Sequence, residues 1–345
     1  MKCNRRWLNI IILILVMLAG MIFSVSVGSA NLSVWDSLRL FVSKLPFVGD
    51  LIDVSDIGAT YEIIVWKVRM PRIVLSALVG GALAVVGGVF QGVFGNSLAD
   101  PHILGVSSGA ALGATFGMLS GVTISFLSLG TVGICAFIGA LLTVFLVYHL
   151  ARVGGEISTT NMLLTGTAIS TMLSAIISLL MTFNEEQVDK VYMWTLGSFS
   201  AATWEKVRFL VVMVALGVIL LFAFAQKINV MMMGEEEAKS LGVDTVKVRR
   251  VIIVISSFLV ASAVSVSGII GFVGLIIPHS VRLLSGSNNK SLLPYSFFGG
   301  ATFLMLCDTA ARTIAAPTEI PVGIITSVLG APFFIFLILR NRKKV

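Results

Sequence analysis

Three arginines stand where the chain is otherwise sparing with charge: Arg69 and Arg72, three apart across Pro71, and Arg312 far downstream. A guanidinium is a planar fork of donors that matches a carboxylate, so arginines at the mouth of an apolar segment are equipped to capture an acidic group. Arg312 also has a local candidate partner in Asp308, one helical turn earlier. A second pattern is hydroxylic. Thr160, Thr167, Thr171, Ser174 and Ser178 fall at helical spacing on one face, while Leu163, Leu164, Ile169, Leu173 and Ile176 lie largely elsewhere. Such a face either lines a polar path or bonds back to its own carbonyls and bridges helices; spacing leaves both open. A third pattern is acidic. Between Gly234 and Gly242, three acids (Glu235, Glu236, Glu237) occupy what would be the first turn of a short helix, where the dipole favours negative charge, and Gly242 fits the C′ position. One or two turns do not persist alone in water, so this helix packs on its own protein or docks on another.

Catalytic and metal chemistry lack their residues. His102, His149 and His279 are dispersed, and the first and last follow prolines, where capping or packing is the expected role. Cys3, Cys135 and Cys307 lie far apart, so neither a disulfide framework nor a zinc site is expected. No metal or cofactor is expected, and no acid, base or nucleophile constellation marks an enzyme. The chain has no Gly-x-x-x-x-Gly-Lys-Ser/Thr, so it does not cradle nucleotide phosphates by that route; ATP would be hydrolysed by another chain. An ion-coupled secondary transporter would carry ionisable residues near the bilayer midplane, and almost none stand there.

The elements that must position these residues are membrane helices. Apolar residues make up 57% of the 345, charged residues 12%, and mean hydropathy is +1.01. A window of about twenty residues predicts roughly ten spans, near 8–27, 71–94, 102–119, 124–150, 161–183, 207–225, 248–267, 270–284, 292–311 and 322–340. The expected fold is therefore all-α and polytopic, one domain over 1–345, with a polar loop at 226–247. The first span is too long for a signal-peptide core and reads as an uncleaved helix. The eighth is short and holds Pro278, the pattern of a broken helix. Gly105, Gly109, Gly113, Gly117 and Gly121 form a stripe of period four, a surface for close helix approach. Val86 to Gly92, followed by Pro101-His102, is echoed by Val266 to Gly271, followed by Pro278-His279; five spans apart, the two units would form inverted five-helix repeats. With an even number of spans both termini share a side. That side collects 15 of the 24 Lys and Arg with six acids, against nine basic and eleven acidic residues opposite, so both termini are placed in the cytoplasm. The net charge of +7 is met by anionic lipid without nucleic acid.

Several runs together resemble one family. Arg69-Met-Pro-Arg72, Gln91 to Gly109, Gly234 to Val243, Gly271 to Leu284 and Glu319 to Phe334, in that order, resemble the FecCD permeases, the membrane subunits of ABC importers for ferric siderophores, haem and vitamin B12. The resemblance implies a ten-helix subunit in a prokaryotic cytoplasmic membrane, paired as a homodimer, served by two ATP-binding subunits and an extracytoplasmic binding protein. It implies that Arg69, Arg72 and Arg312 receive glutamates of the binding protein. It implies that the helix of Glu235, Glu236, Glu237, Ala238, Leu241 and Gly242 couples to the ATPase. It implies that the span of Thr160, Thr167, Thr171, Ser174 and Ser178 lines the path, with Asn96, Leu98, Ser158, Thr159 and Thr160 at an inner gate. The implied cargo is a metal chelate, ferric siderophore or haem first, cobalamin as the alternative.

Overall fold

A computed structural model describes residues 2–28, 33–44, 53–54, 57–97, 99–126, 128–153, 156–157 and 159–342. The chain is helical throughout: α1 (Lys2–Ser26), α2 (Val34–Val42), α3 (Ala59–Ile63), α4 (Met70–Val93), α5 (Val106–Leu119), α6 (Thr131–Leu150), α7 (Thr159–Thr182), α8 (Val188–Thr195), α9 (Trp204–Ala223), α10 (Ala225–Met231), α11 (Glu235–Ser240), α12 (Thr245–Ser267), α13 (Val273–Ser285), α14 (Asn289–Ala311) and α15 (Val322–Arg342). Two-residue antiparallel pairings, β1 (Ser125–Phe126) with β2 (Leu129–Gly130) and β3 (Arg152–Val153) with β4 (Glu156–Ile157), bracket α6. Each of the ten expected spans coincides with a helix. Among the described residues six stretches are long and apolar enough to cross a membrane, while α5, α13 and the apolar part of α15 are shorter.

At the centre stands α4, continuous with α3 through a π-helical segment, Ile64–Arg69. It is apolar all round and packs on α14, α13, α9 and α12, which is how a helix without a polar face is buried. Glycines make that possible. A Cβ at Gly80 would overlap the carbonyl oxygen of Gly300, and one at Gly87 would overlap that of Gly274, so α14 and α13 touch α4 backbone to backbone. By contrast, only 11% of the apolar windows of α1 and α7 is buried in the chain. Those helices face outward, toward lipid or another subunit.

The glycine stripe does part of what its spacing predicts. Gly109, Gly113 and Gly117 seat α5 on α6; a Cβ at Gly113 would collide with the Cys135 carbonyl. Gly105 and Gly121 are left-handed (φ 74 and 63) and flank the helix, so they serve as turns and the packing stripe is three glycines long. The break expected at Pro278 also lies elsewhere. α13 runs through Pro278, and the irregular stretch precedes it, with Gly268 (φ 71) and Phe272 (φ 68) left-handed. This stretch meets the one before α5: His102 bridges Ser107 and, at 3.2 Å, the Ile270 carbonyl, while Gln91 Nε2 donates to the carbonyls of Gly274 and Leu275, both at 3.3 Å. The prolyl stretch before α5 thus meets the irregular stretch leading into α13 beside the end of α4.

Candidate functional sites at the two ends of the bundle

Helices α4, α12 and α14, each about 35 Å long by their residue counts, carry one cluster at each end. At the first end the three arginines converge. The π-helical turn that closes at Arg69 and the proline-initiated start of α4 set Arg69 and Arg72 one helical turn apart. α1 ends with no basic residue in its last turn, leaving its terminal carbonyls without cationic partners from its own sequence. Two of the arginines supply them. Arg69 donates to the Val25 carbonyl and, at 3.4 Å, to that of Ser26; Arg312 donates to that of Ser24. Gly28 lies against them: a Cβ there would stand 2.6 Å from Arg69 Nη2 and 3.3 Å from Arg312 Nη1 and would push the tip of Arg69 aside.

Arg72 is committed to carboxylates of its own chain. Its Nε donates to Asp308 Oδ2 at 2.9 Å and Oδ1 at 3.1 Å, and Nη2 to Oδ1 at 2.9 Å. Its Nη1 donates to both oxygens of Glu319, at 2.9 and 2.8 Å. Asp308 is only 1% exposed, whereas the Glu319 side chain is 46% exposed. Asp308 therefore pairs with Arg72 rather than with Arg312, because the fork of Arg72 reaches it edge-on from the facing helix. Arg312 keeps a buried Nε without a hydrogen-bond partner. The sequence left Asp308 to its neighbour on α14 and missed Glu319; both contacts span more than 230 residues, and no local rule signals them.

At the opposite end stands α11. The residue types that predicted it do close it: the Val243 N–H donates to Ala238 O and the Gly242 N–H to Lys239 O, both at 3.0 Å, with Gly242 at φ 78. These are the two crossed bonds of a Schellman cap. Ala238 is fully buried, and Glu235 ties the helix to α12 through Thr245 Oγ1 (3.2 Å) and Arg249 Nη2 (3.5 Å). Partial burial pushes the Glu235 carboxyl upward, but the Lys239 hydrogen bond and the charges of Arg249 and Lys239 outweigh it and hold it below the usual range. Glu236, Glu237, Lys239 and Leu241 face solvent, Leu241 at 62% exposure. A cavity of about 340 Å³ opens beside Gly242, lined by Phe224, Lys227, Asp244 and Lys247. The short helix is thus seated on its own bundle and shows solvent its charges and one large apolar side chain.

The hydroxyl residues of α7 lie on its outward side. Thr167, Thr171 and Ser178 are exposed and donate to carbonyls four residues back at 2.8 to 3.0 Å, while Ile169 and Leu173 pack inward. Thr160 and Ser174 are exposed on that side too, but so is Leu164, at 66%, so the face is mixed rather than purely polar. Of the expected gate, Asn96 is exposed and lines a cavity of about 30 Å³ with Met162 and Leu163 of α7. Thr159 opens that helix beside Thr160. Leu98 and Ser158 lie outside the described residues.

A polytopic helical bundle with close-packed glycine contacts and a short charged helix at one end fits a membrane permease scaffold. The sequence matches the FecCD transport family over residues 13–340, and the chain belongs to that family. It is an integral membrane protein of a transport rather than an enzyme family. It is 43% identical to the cobalamin import system permease protein of Halobacterium salinarum, over 82% of this chain and 75% of that one. It is 38% identical to the hemin transport system permease protein of Yersinia pestis, over 81% and 84%. A solved structure described as an inward-facing conformation of a metal-chelate type ABC transporter superposes with a TM-score of 0.81, at 33% identity over 96% of this chain and 98% of that one.

Proposed function

We propose that this permease moves a metal chelate inward, by alternating access driven by two separate ATP-binding subunits, as a homodimer supplied by an extracytoplasmic binding protein. The observation that carries it is family membership over nearly the whole chain, in which relatives handle cobalamin and hemin. Ferric siderophore or haem is the first cargo class and cobalamin the second. Both termini and α11 face the cytoplasm in this reading, following the excess of Lys and Arg at that end. The single domain spans 1–345, and 226–247 is its coupling loop. Glu235, Glu236, Glu237, Ala238, Leu241 and Gly242 form the surface that the ATPase grips; Glu235 and Ala238 seat the helix, and the others meet the partner.

Arg69, Arg72 and Arg312 form the docking end for carboxylates of the binding protein, which compete with Glu319 for the outer edge of the cluster. Thr160, Thr167, Thr171, Ser174 and Ser178 line the path, which the outward exposure of α7 supports, since a second copy would enclose it. Asn96, Leu98, Ser158, Thr159 and Thr160 form the inner gate. The test is uptake by proteoliposomes holding this chain with an ATP-binding subunit and a binding protein from the same organism. ATP-dependent entry of a ferric siderophore, haem or cobalamin is expected. Uptake that ignores ATP but follows an imposed ion gradient would establish a secondary transporter instead.

A further inference from the structure

Between α6 and α12 runs a groove of about 560 Å³ that none of the roles above uses. Its length is apolar, with Leu141, Val144 and Phe145 on one wall and Ile253, Val254 and Phe258 on the other. One end is cationic. Arg152, just past the end of α6, and Arg250, in the first turns of α12, close it together with Tyr148. Arg250 Nε donates to Tyr148 Oη at 2.9 Å, which orients the guanidinium and leaves the phenolic O–H able to donate onward. Among the described side chains no carboxylate forms an ion pair with Arg152 or Arg250. Both walls belong to helices long and apolar enough to cross the membrane, and Phe145, Val254 and Phe258 remain 62%, 50% and 48% exposed.

We propose that this groove binds an anionic diacyl phospholipid, with an acyl chain along the apolar walls and the phosphate held by Arg152, Arg250 and Tyr148. Charge decides between occupants. A neutral lipid or detergent would fill the apolar length but bring no phosphate to the two cations at its end, and a free anion would use the cations but leave the greasy length empty. A phosphodiester that carries its own hydrocarbon satisfies both, and guanidinium suits phosphate because its donors engage two oxygens at once. Two basic residues at the rim of a membrane-facing groove also sit where anionic headgroups concentrate. The site rests on the membrane placement of α6 and α12 and is independent of cargo and of the coupling partner.

Native mass spectrometry of the full chain, released from detergent after incubation with phosphatidylglycerol or phosphatidylcholine, tests it. Phosphatidylglycerol should be retained about tenfold better, and R152Q/R250Q should erase that preference with the thermal midpoint unchanged. V254W, which fills the groove and leaves both arginines, should lower retention of phosphatidylglycerol to the same degree. Equal retention of the two lipids, or an undiminished preference in R152Q/R250Q, would overturn the proposal. So would full displacement by glycerol 3-phosphate, which would make the site one for a free anion. If R152Q/R250Q does not fold, V254W decides: retention equal to the parent chain rejects the groove.

Discussion

Replacing Asp308 by Ala should cost the bundle far more than neutralising Glu319, although both carboxylates bind the same guanidinium. The Asp308 carboxylate is 1% exposed and accepts three contacts of 2.9 to 3.1 Å from Arg72, whose side chain is 10% exposed. Removing one partner of a buried pair leaves the other charged and desolvated, a penalty of about 3 to 5 kcal/mol. Arg312 sits on the same helix turn and would add a second unbalanced cation. Glu319→Gln touches the same guanidinium, yet its side chain is 46% exposed, so its loss should cost under about 1 kcal/mol. Reversible unfolding of the purified chain in mixed micelles gives both numbers on one scale. Replacing both members, Arg72→Met with Asp308→Leu, should recover most of the loss, because well-packed apolar side chains often match a buried pair. Equal costs for Asp308→Ala and Glu319→Gln, or no recovery in the double variant, would refute the claim that burial makes this pair structural.

Gly113→Ala should cost about 1 to 3 kcal/mol, read by the same unfolding, because its Cβ meets the Cys135 carbonyl. Gly121→Ala, where nothing lies within 4 Å, should lose only the left-handed strain of roughly 1 kcal/mol. The Glu235 carboxyl is held below its ordinary value of about 4.3, so its ties to Arg249 and Thr245 are intact above that pH and fail as pH falls through the lowered value. Protection of the 235–241 amides against exchange, measured relative to the intrinsic rate at each pH, should therefore drop as pH falls through that lowered value in the parent chain and show no such step in Glu235→Gln. Thr171→Trp, on the outward side of α7, should leave the unfolding curve in place and block ATP-dependent uptake in proteoliposomes; unimpaired uptake would remove α7 from the path. Glu319→Gln should leave three arginines against one carboxylate, so docking of an acidic binding protein should speed up and become more sensitive to salt; slower docking by stopped flow would contradict the assigned role of the cluster.

The helices were legible because hydropathy is a local property: every apolar run of sufficient length became a helix. The end of α11 was legible for the same reason, since Gly242 and its predecessors specify a Schellman cap within six residues. Long-range partners were not. Nothing near Arg72 in sequence announces Asp308, 236 residues away, and a turn-spaced acid on α14 pointed the carboxylate at Arg312 instead. The π-helical turn at 64–69 leaves no compositional mark either, since Ile-Val-Trp-Lys-Val-Arg suits an ordinary helix equally. The glycine stripe was half legible. Spacing identified the packing face, but whether a glycine lies inside the helix or turns the chain at its end depends on backbone angles that a residue with no side chain does not reveal.

The arginine end combines two ion pairs of very different strength on one guanidinium, and that asymmetry bears on how docking would be transmitted. Arg72–Asp308 joins α4 to α14, and Arg69 and Arg312 fasten the carbonyls of α1 to the same pair of helices. These contacts are buried or nearly so, and breaking them would strand charge. Arg72–Glu319 lies at the water-exposed edge, and Glu319 stands three residues before α15. A carboxylate arriving from outside can take the place of Glu319 at small cost, because it restores the hydrogen bonds of Arg72 as it removes them. Under the docking role proposed above, such an exchange leaves α1, α4 and α14 locked together and releases only the segment leading into α15. The stiff part of the cluster therefore acts as an anchor, and movement following capture of a partner would begin at α15.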